Sequence, residues 1–277
     1  MPIATLITGC SSGIGRALAE EFQRRGHLVY ATARRPETLA DLEAKGIRTA
    51  ALDVNDAGSI EALMARLEQD GVTVGMLINN AGYGAMGPLP ELPVEELRLQ
   101  FETNVFAILA LIQAVLPGMV ERGFGRIVNV GSVSGILVTP FAGAYCASKA
   151  AVHALSDSLR MELAPFGIQV ITVQPGAIRS QFGTTAGSGV AEREERLSLY
   201  APVTGAIRAR SQASQERSTP AEVFARKMAD AVLADNPRPV VRIGRGSSLF
   251  PFLGRWLPMR LRDRALSRRF ELGRLRR

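Results

Sequence analysis

Ile3-Ala4-Thr5-Leu6-Ile7-Thr8-Gly9-Cys10-Ser11-Ser12-Gly13-Ile14-Gly15 decides how the rest of the chain is read. The apolar and β-branched start fits a strand, and the glycines open a helix that runs from about Gly13 to Arg25. Glycine lets a backbone approach a pyrophosphate closely, and a helix N-terminus offers free N–H groups and partial positive charge. The spacing is G-x-x-x-G-x-G rather than the commoner G-x-G-x-x-G. Such a turn can be no more than a tight connection. Its place after the first strand favours nucleotide binding instead, with Gly9, Ser11, Ser12, Gly13, Ile14 and Gly15 at the phosphates.

Outward from this turn, apolar runs alternate with amphipathic stretches. Leu28–Ala33, Ile47–Leu52, Val74–Ile78, Arg126–Val130 and Ile168–Val173 read as strands, and Ser59–Gln69, Val94–Leu116 and Ala144–Leu163 as helices. Near-continuous apolar strands separated by helices predict an α/β fold, a Rossmann-type doubly wound parallel sheet in a single domain. After Pro175-Gly176 regularity fails. Residues 181–218 read as an irregular insertion with a short helical candidate near Ala191–Leu199, and such insertions are usually functional or disordered. Pro220–Ala234 resumes as helix and Pro239–Ile243 as a short strand. Residues 1–245 therefore form the catalytic domain, with 181–218 as a lid, and 246–277 a basic C-terminal helical extension.

The end of the second strand bears on which nucleotide is bound. NAD-binding sheets usually carry an acidic residue there for the ribose 2′-OH. This chain has Ala33-Arg34-Arg35, and arginine suits a bidentate grip on a 2′-phosphate. NADP(H) is therefore expected over NAD(H), the alternative being a solvated pair of charges.

A length of 277 residues with 47% hydrophobic content supports one large domain with a sizeable core. Cys10 and Cys146 form no framework or metal spacing, so free thiols in a reducing compartment and no metal are expected. The N-terminus has no basic region or cleavage site of a leader, and no apolar run reaches the roughly 18 residues of a spanning helix. The net charge of +7 equals that of residues 254–277, where nine arginines face Asp263 and Glu271 (9 − 2 = +7). Basicity thus describes a tail, and no nucleic-acid partner is expected of the domain.

Tyr145 and Lys149 lie four apart, on one face of a helix. A phenol titrates near pH ~10, and an adjacent ammonium favours the phenolate. Ser132, at the end of an apolar run, is placed to steer a substrate oxygen toward that tyrosine. Alone, Tyr-x-x-x-Lys is a weak signal.

Thr8-Gly9-x-x-x-Gly13-x-Gly15, Asn79-Asn80-Ala81-Gly82, Asn104, Ser132, Tyr145-x-x-x-Lys149 and Pro175-Gly176 occur in order. The set resembles the short-chain dehydrogenase/reductase family in its single-domain branch, over residues 3–245. The runs Thr8–Ser12 and Asn80–Gly84 look most like members acting on sterols, retinoids and related lipophilic alcohols. The resemblance implies that Tyr145 is the general acid and base, that Lys149 lowers its pKa and binds the nicotinamide ribose, and that Ser132 polarises the carbonyl. It implies that Asn104 holds a water in a proton relay and that Asp53, with Val54, contacts the adenine. Asn80, Ala81 and Gly82 would line the cofactor's path, and Pro175, Gly176 and Ile178 the nicotinamide. Ser180 stands where many relatives have Thr. Family members are often dimers or tetramers through the helices at 94–116 and 144–163, so a homo-oligomer is expected.

The expected activity is NADP(H)-dependent interconversion of an alcohol and its carbonyl. The alternatives are an NAD-linked hydroxysteroid- or hydroxyacyl-type dehydrogenase and a non-catalytic nucleotide-binding regulator. Phe182, Leu197, Leu199 and Tyr200 of the lid, with Tyr83, Met86, Leu89, Val133, Ile136, Leu137 and Phe141, would wall an apolar pocket. No fixed charge stands out near the chemistry, so the expected substrate is lipophilic. In the tail, Leu261, Ala265, Leu266 and Phe270 fall at helical spacing among arginines, which suits packing on protein or peripheral contact with an anionic membrane. The expected location is cytoplasmic, with that membrane contact as an option. His27 and His153 belong to no motif and read as structural or surface residues.

Overall fold

Seven strands pair in parallel: β1 (Ile3–Ile7), β2 (Leu28–Ala33), β3 (Arg48–Ala51), β4 (Thr73–Asn79), β5 (Gly125–Val130), β6 (Ile168–Pro175) and β7 (Val240–Ile243), in the order β3-β2-β1-β4-β5-β6-β7. The computed structural model describes residues 1–215 and 217–275; Glu216 of the expected lid and Arg276 and Arg277 of the tail lie outside them. The central strands are buried on both faces, which is why their sequences read as apolar runs rather than alternating ones. Strand order reverses between β1 and β4, and in an open α/β sheet that switch point leaves a crevice beyond the strands' carboxyl ends. The predicted fold class is the one observed.

Helices α1 (Gly13–Arg24) and α9 (Ala221–Val232) cover one face through Phe22, Phe224 and Met228. On the other, α3 (Ala57–Gln69), α5 (Ala107–Glu121) and α6 (Gly143–Leu163) pack through Leu63, Leu111, Met119 and Val152. A short α2 (Ala40–Ala44) precedes β3, and α4 (Val94–Phe101) runs into α5 through a π-helical turn, Glu102–Phe106.

The continuous helix Val94–Glu121 corrects one expectation. By length and composition it is long and apolar enough to cross a membrane. Polar residues such as Glu102, Asn104 and Gln113 break the apolar run in the sequence, but the helix continues through them. Its inner face, with Ile108, Leu111, Ile112 and Val115, is part of the core beside the sheet.

Residues 181–218 also differ from expectation. They carry two helices, α7 (Phe182–Glu194) and α8 (Thr204–Gln212), and the helical candidate at 191–199 falls largely beyond the end of α7. Glycines that read as loop formers serve close helix packing. A Cβ on Gly183 would stand 2.7 Å from the Gln215 side chain, and one on Gly187 2.6 Å from Gln212. Arg193 on α7 pairs with Glu96 and donates to the Met86 carbonyl, and Glu91 accepts from Ser198 and Leu199.

The tail folds back as α10 (Leu249–Trp256) and α11 (Met259–Arg269). Phe270 is buried in a third apolar cluster with Met86, Phe141, Val190 and Ile207, and Leu266 packs against it. Leu249, Phe252, Trp256, Met259 and Leu261 remain exposed. Within the expected stripe, Leu266 and Phe270 therefore face protein while Leu261 and Ala265 face outward.

Candidate active site

The turn after β1 shows why glycine stands at each of its positions. Gly9 and Gly13 have φ of +73° and +57°, a region side chains rarely adopt. A Cβ on Gly13 would lie 2.8 Å from the Ser180 Cβ, and one on Gly15 2.3 Å from the Gly9 carbonyl oxygen. Thr8 ties this turn to the end of β4, because its Oγ1 accepts from the backbone N–H groups of Asn80 (3.0 Å) and Ala81 (2.9 Å). The Asn80 side chain donates back to the Thr8 carbonyl at 2.8 Å. The N-cap Ser12 spends no side-chain bond on α1, which leaves its first N–H groups facing the crevice.

Across the switch point, Ser132 ends the turn after β5, and Tyr145 and Lys149 come from the first turns of α6. The Ser132 hydroxyl lines the cleft with the Tyr145 phenol and accepts from the Ser134 N–H at 3.1 Å. Lys149 Nζ donates to the Val130 carbonyl at 2.8 Å and sits 5.9 Å from the Tyr145 ring centroid. Burial pushes the Tyr145 phenol up to about 12, with Ser132 and then Arg210 pulling it back. Burial brings the Lys149 ammonium down to about 8. Burial thus works against the charged form of both, and Lys149 is not among the groups that lower the tyrosine, contrary to expectation.

Asn104 sits on the π-helical turn, fully buried, with Oδ1 accepting from the Tyr83 N–H (3.1 Å) and Nδ2 donating to the Tyr83 carbonyl (3.0 Å) and Ser148 Oγ (3.1 Å). A Cβ on Gly82 would be 2.9 Å from Asn104 Oδ1 and 3.7 Å from Lys149 Nζ, so this glycine lets three elements meet. One cleft of about 730 Å³ joins these parts. Every predicted site residue lines it except Gly15, Arg35 and Asn104. Gly15 instead packs under the turn, Arg35 is exposed, and Asn104 stands behind Tyr83. Asp53 reaches the cleft wall, and its Oδ1 accepts from the Asn55 N–H. Cys10 and Cys146 are free and buried, as expected, and burial pushes the Cys10 thiol up to about 12.

At the substrate end, Tyr83, Met86, Val133, Leu137 and Phe182 line the cleft as expected, and the Phe182 ring lies 5.1 Å from that of Tyr145. Leu197, Tyr200 and Phe141 belong to the third cluster instead, while Leu199 (67% exposed) and Leu89 (52% exposed) face outward. Ile136 meets α10, where a Cβ on Gly254 would be 3.2 Å from its carbonyl oxygen.

Three residues were missed in the sequence. His153, one turn beyond Lys149 on the same face, accepts from the Ser132 N–H through Nε2 at 3.4 Å. Burial first, then the charge of Lys149, brings it down to about 4, so the ring is neutral and positions Ser132. Arg210 of α8 and Arg269 of α11 also line the cleft, which corrects the expectation that no fixed charge lies near the chemistry. The His153 spacing was available; the arginines arrive from segments whose fold the sequence did not reveal.

Residues 4–190 match the family model described as short chain dehydrogenase. The chain belongs to the short-chain dehydrogenase/reductase family. A short-chain dehydrogenase of Streptomyces avermitilis superposes over 99% of both chains with a TM-score of 0.80 and 33% identity. The NADPH-dependent 3-dehydrocapnine reductase of Ornithobacterium rhinotracheale is 30% identical over 94% of each chain. The 3-ketodihydrosphingosine reductase of Bacteroides thetaiotaomicron is 36% identical over 65% of this chain and 66% of its own. This family member is an NAD(P)-dependent oxidoreductase with a small-molecule substrate.

Proposed function

We propose that this dehydrogenase/reductase uses NADP(H) to interconvert a lipophilic alcohol and its carbonyl, with Tyr145 as the proton donor in reduction. The observation that carries the reading is the convergence of the Tyr145 phenol, the Ser132 hydroxyl and Lys149 in one cleft with the Gly9–Gly15 turn. The crowded contacts at Gly9, Gly13 and Gly15 fit a backbone cradle for a pyrophosphate, which a side chain there would fill. Arg34 lines the same cleft and pairs with no carboxylate among the described residues, which suits a 2′-phosphate. A nicotinamide cofactor bound there supplies or accepts the hydride. Ser132 holds the substrate oxygen, Tyr145 delivers the proton to it, and the Lys149 ammonium stabilises the phenolate that remains. Asn104, through Tyr83 and Ser148, holds the wall beside this path. The two named reductases, one of 3-ketodihydrosphingosine and the other NADPH-dependent, support ketone reduction with NADPH.

The lid assignment of 181–218 belongs to the same proposal, since α7 brings Phe182 against Tyr145. Exposed Leu249, Phe252, Trp256 and Met259 among Arg255, Arg260 and Arg264 suit an anionic membrane surface, from which a lipophilic substrate would be collected. Exposed Val94, Leu99, Phe106 and Met161 on the outer helices support a homo-oligomer. The deciding assay is a panel of medium- and long-chain ketones followed at the cofactor absorbance with NADPH and NADH. Turnover with NADPH, nearly abolished in Tyr145→Phe while NADPH still binds, is the expected outcome. Undiminished turnover in that variant refutes the chemistry, and a clear preference for NADH refutes the cofactor.

A further inference from the structure

We propose that Arg210, with Arg269 at the rim, forms an anion-binding subsite, so that the substrate is an amphiphile with a carboxylate, sulfonate or phosphate on the arm beside its carbonyl. This deepens the reductase reading of the cleft and rests on it. Arg210 lies in the cleft wall on the side of Tyr145. Its Nε donates to Thr139 Oγ1 at 2.7 Å, and its two Nη groups have no acceptor among the described residues. No carboxylate of the described residues comes within 4.0 Å of it. The nearby arginines of the lid are different, since Arg193 pairs with Glu96 and Arg208 with Glu194.

Among the described residues, the groups that face Arg210 supply no negative charge. From α6 come Tyr145 and Cys146, both pushed upward by burial and therefore neutral near pH 7. From the loop before α6 comes the neutral Thr139, and from α11 the like charge of Arg269. Arg210 lines the cleft, and burial first, then Arg269, lowers its pKa. Two cations near one another in a concave, partly dehydrated wall repel unless an anion joins them. A guanidinium with free Nη donors offers the planar fork that carboxylate, sulfonate and phosphate oxygens accept. Perturbed ionisable groups in a cleft are also where ligands are commonly held. The apolar arm of the substrate would follow Met86, Phe182 and Leu266 along the same wall.

The test measures binding before turnover. Affinities of decanoate, decanesulfonate, decyl phosphate and the neutral decanol are measured by calorimetry on the wild type, Arg210→Met, Arg210→Lys and Arg269→Met, each with NADPH present. The ratio of anion to decanol affinity is expected to fall at least about tenfold in Arg210→Met, less in Arg210→Lys, and by a smaller factor in Arg269→Met. A ratio unchanged in Arg210→Met, or a wild type that binds decanol as well as the anions, overturns the subsite. If Arg210→Met does not fold, an unchanged ratio in both remaining variants does the same. Which of the three anions binds best identifies the head group. Because the ratio is read without turnover, a protein that keeps it but reduces no ketone in the cofactor-absorbance panel sinks the reductase reading and leaves the subsite standing.

Discussion

Replacing His153 by glutamine removes a titrating ring from behind Ser132 while keeping an acceptor for its N–H. The ring is buried beside Lys149 and Arg242, with Asp157 the one opposing charge, and its pKa falls from 6.5 to about 4. As pH falls, the unfolded chain takes up this proton first. The stability contributed by the neutral ring is therefore whole above pH 6.5 and is lost progressively down to about pH 4. At pH 4.5 the difference between unfolded and folded titration amounts to roughly 2.5 kcal/mol, and at pH 7.5 to almost nothing. Urea unfolding of wild type and His153→Gln at those two pH values isolates it, because the other groups titrate in both proteins. The wild type should lose roughly 2.5 kcal/mol more than the variant between pH 7.5 and pH 4.5. Equal losses in the two proteins would refute the buried, neutral His153.

The remaining expectations concern the cofactor turn and the lid. Gly15→Ala forces a methyl onto the Gly9 carbonyl, so NADPH affinity measured by cofactor fluorescence should fall at least about tenfold; unaltered binding counts against the cradle. Arg34→Leu removes an exposed charge-assisted contact, for which the lower end of the usual range gives about tenfold in KM for NADPH and little change for NADH. Arg193→Ala frees α7 from Glu96 and Met86, so limited proteolysis should cut faster within 181–218; identical digestion patterns would rule out that clamp.

The sheet and most of the cleft were legible because their signals are local. A buried parallel strand is a continuous apolar run, and the crowded turn at Gly9, Gly13 and Gly15 accepts no other residue. Tyr145, Lys149 and Ser132 could be read for the same reason, each fixed to the end of one regular element. What escaped was set by packing between distant segments. Gly183 and Gly187 look like loop residues until α8 lies against them, and Arg210 looks like a surface charge until α6 and α11 close around it. The helix Val94–Glu121 has no unbroken apolar run, yet its average apolarity along the helix is that of a spanning segment, which a search for unbroken runs does not detect.

The π-helical turn at Glu102–Phe106 has a consequence for chain length. Such a turn holds one residue more than an α-helical turn, and the helix on either side keeps its facing. Deleting one residue there would leave Leu111, Ile112 and Val115 directed at the sheet. The widened loop that carries Asn104 to Tyr83 and Ser148 would close. The helix would survive the deletion and the cleft wall would not, so this is a point in a buried helix where loss of a single residue acts on the site alone.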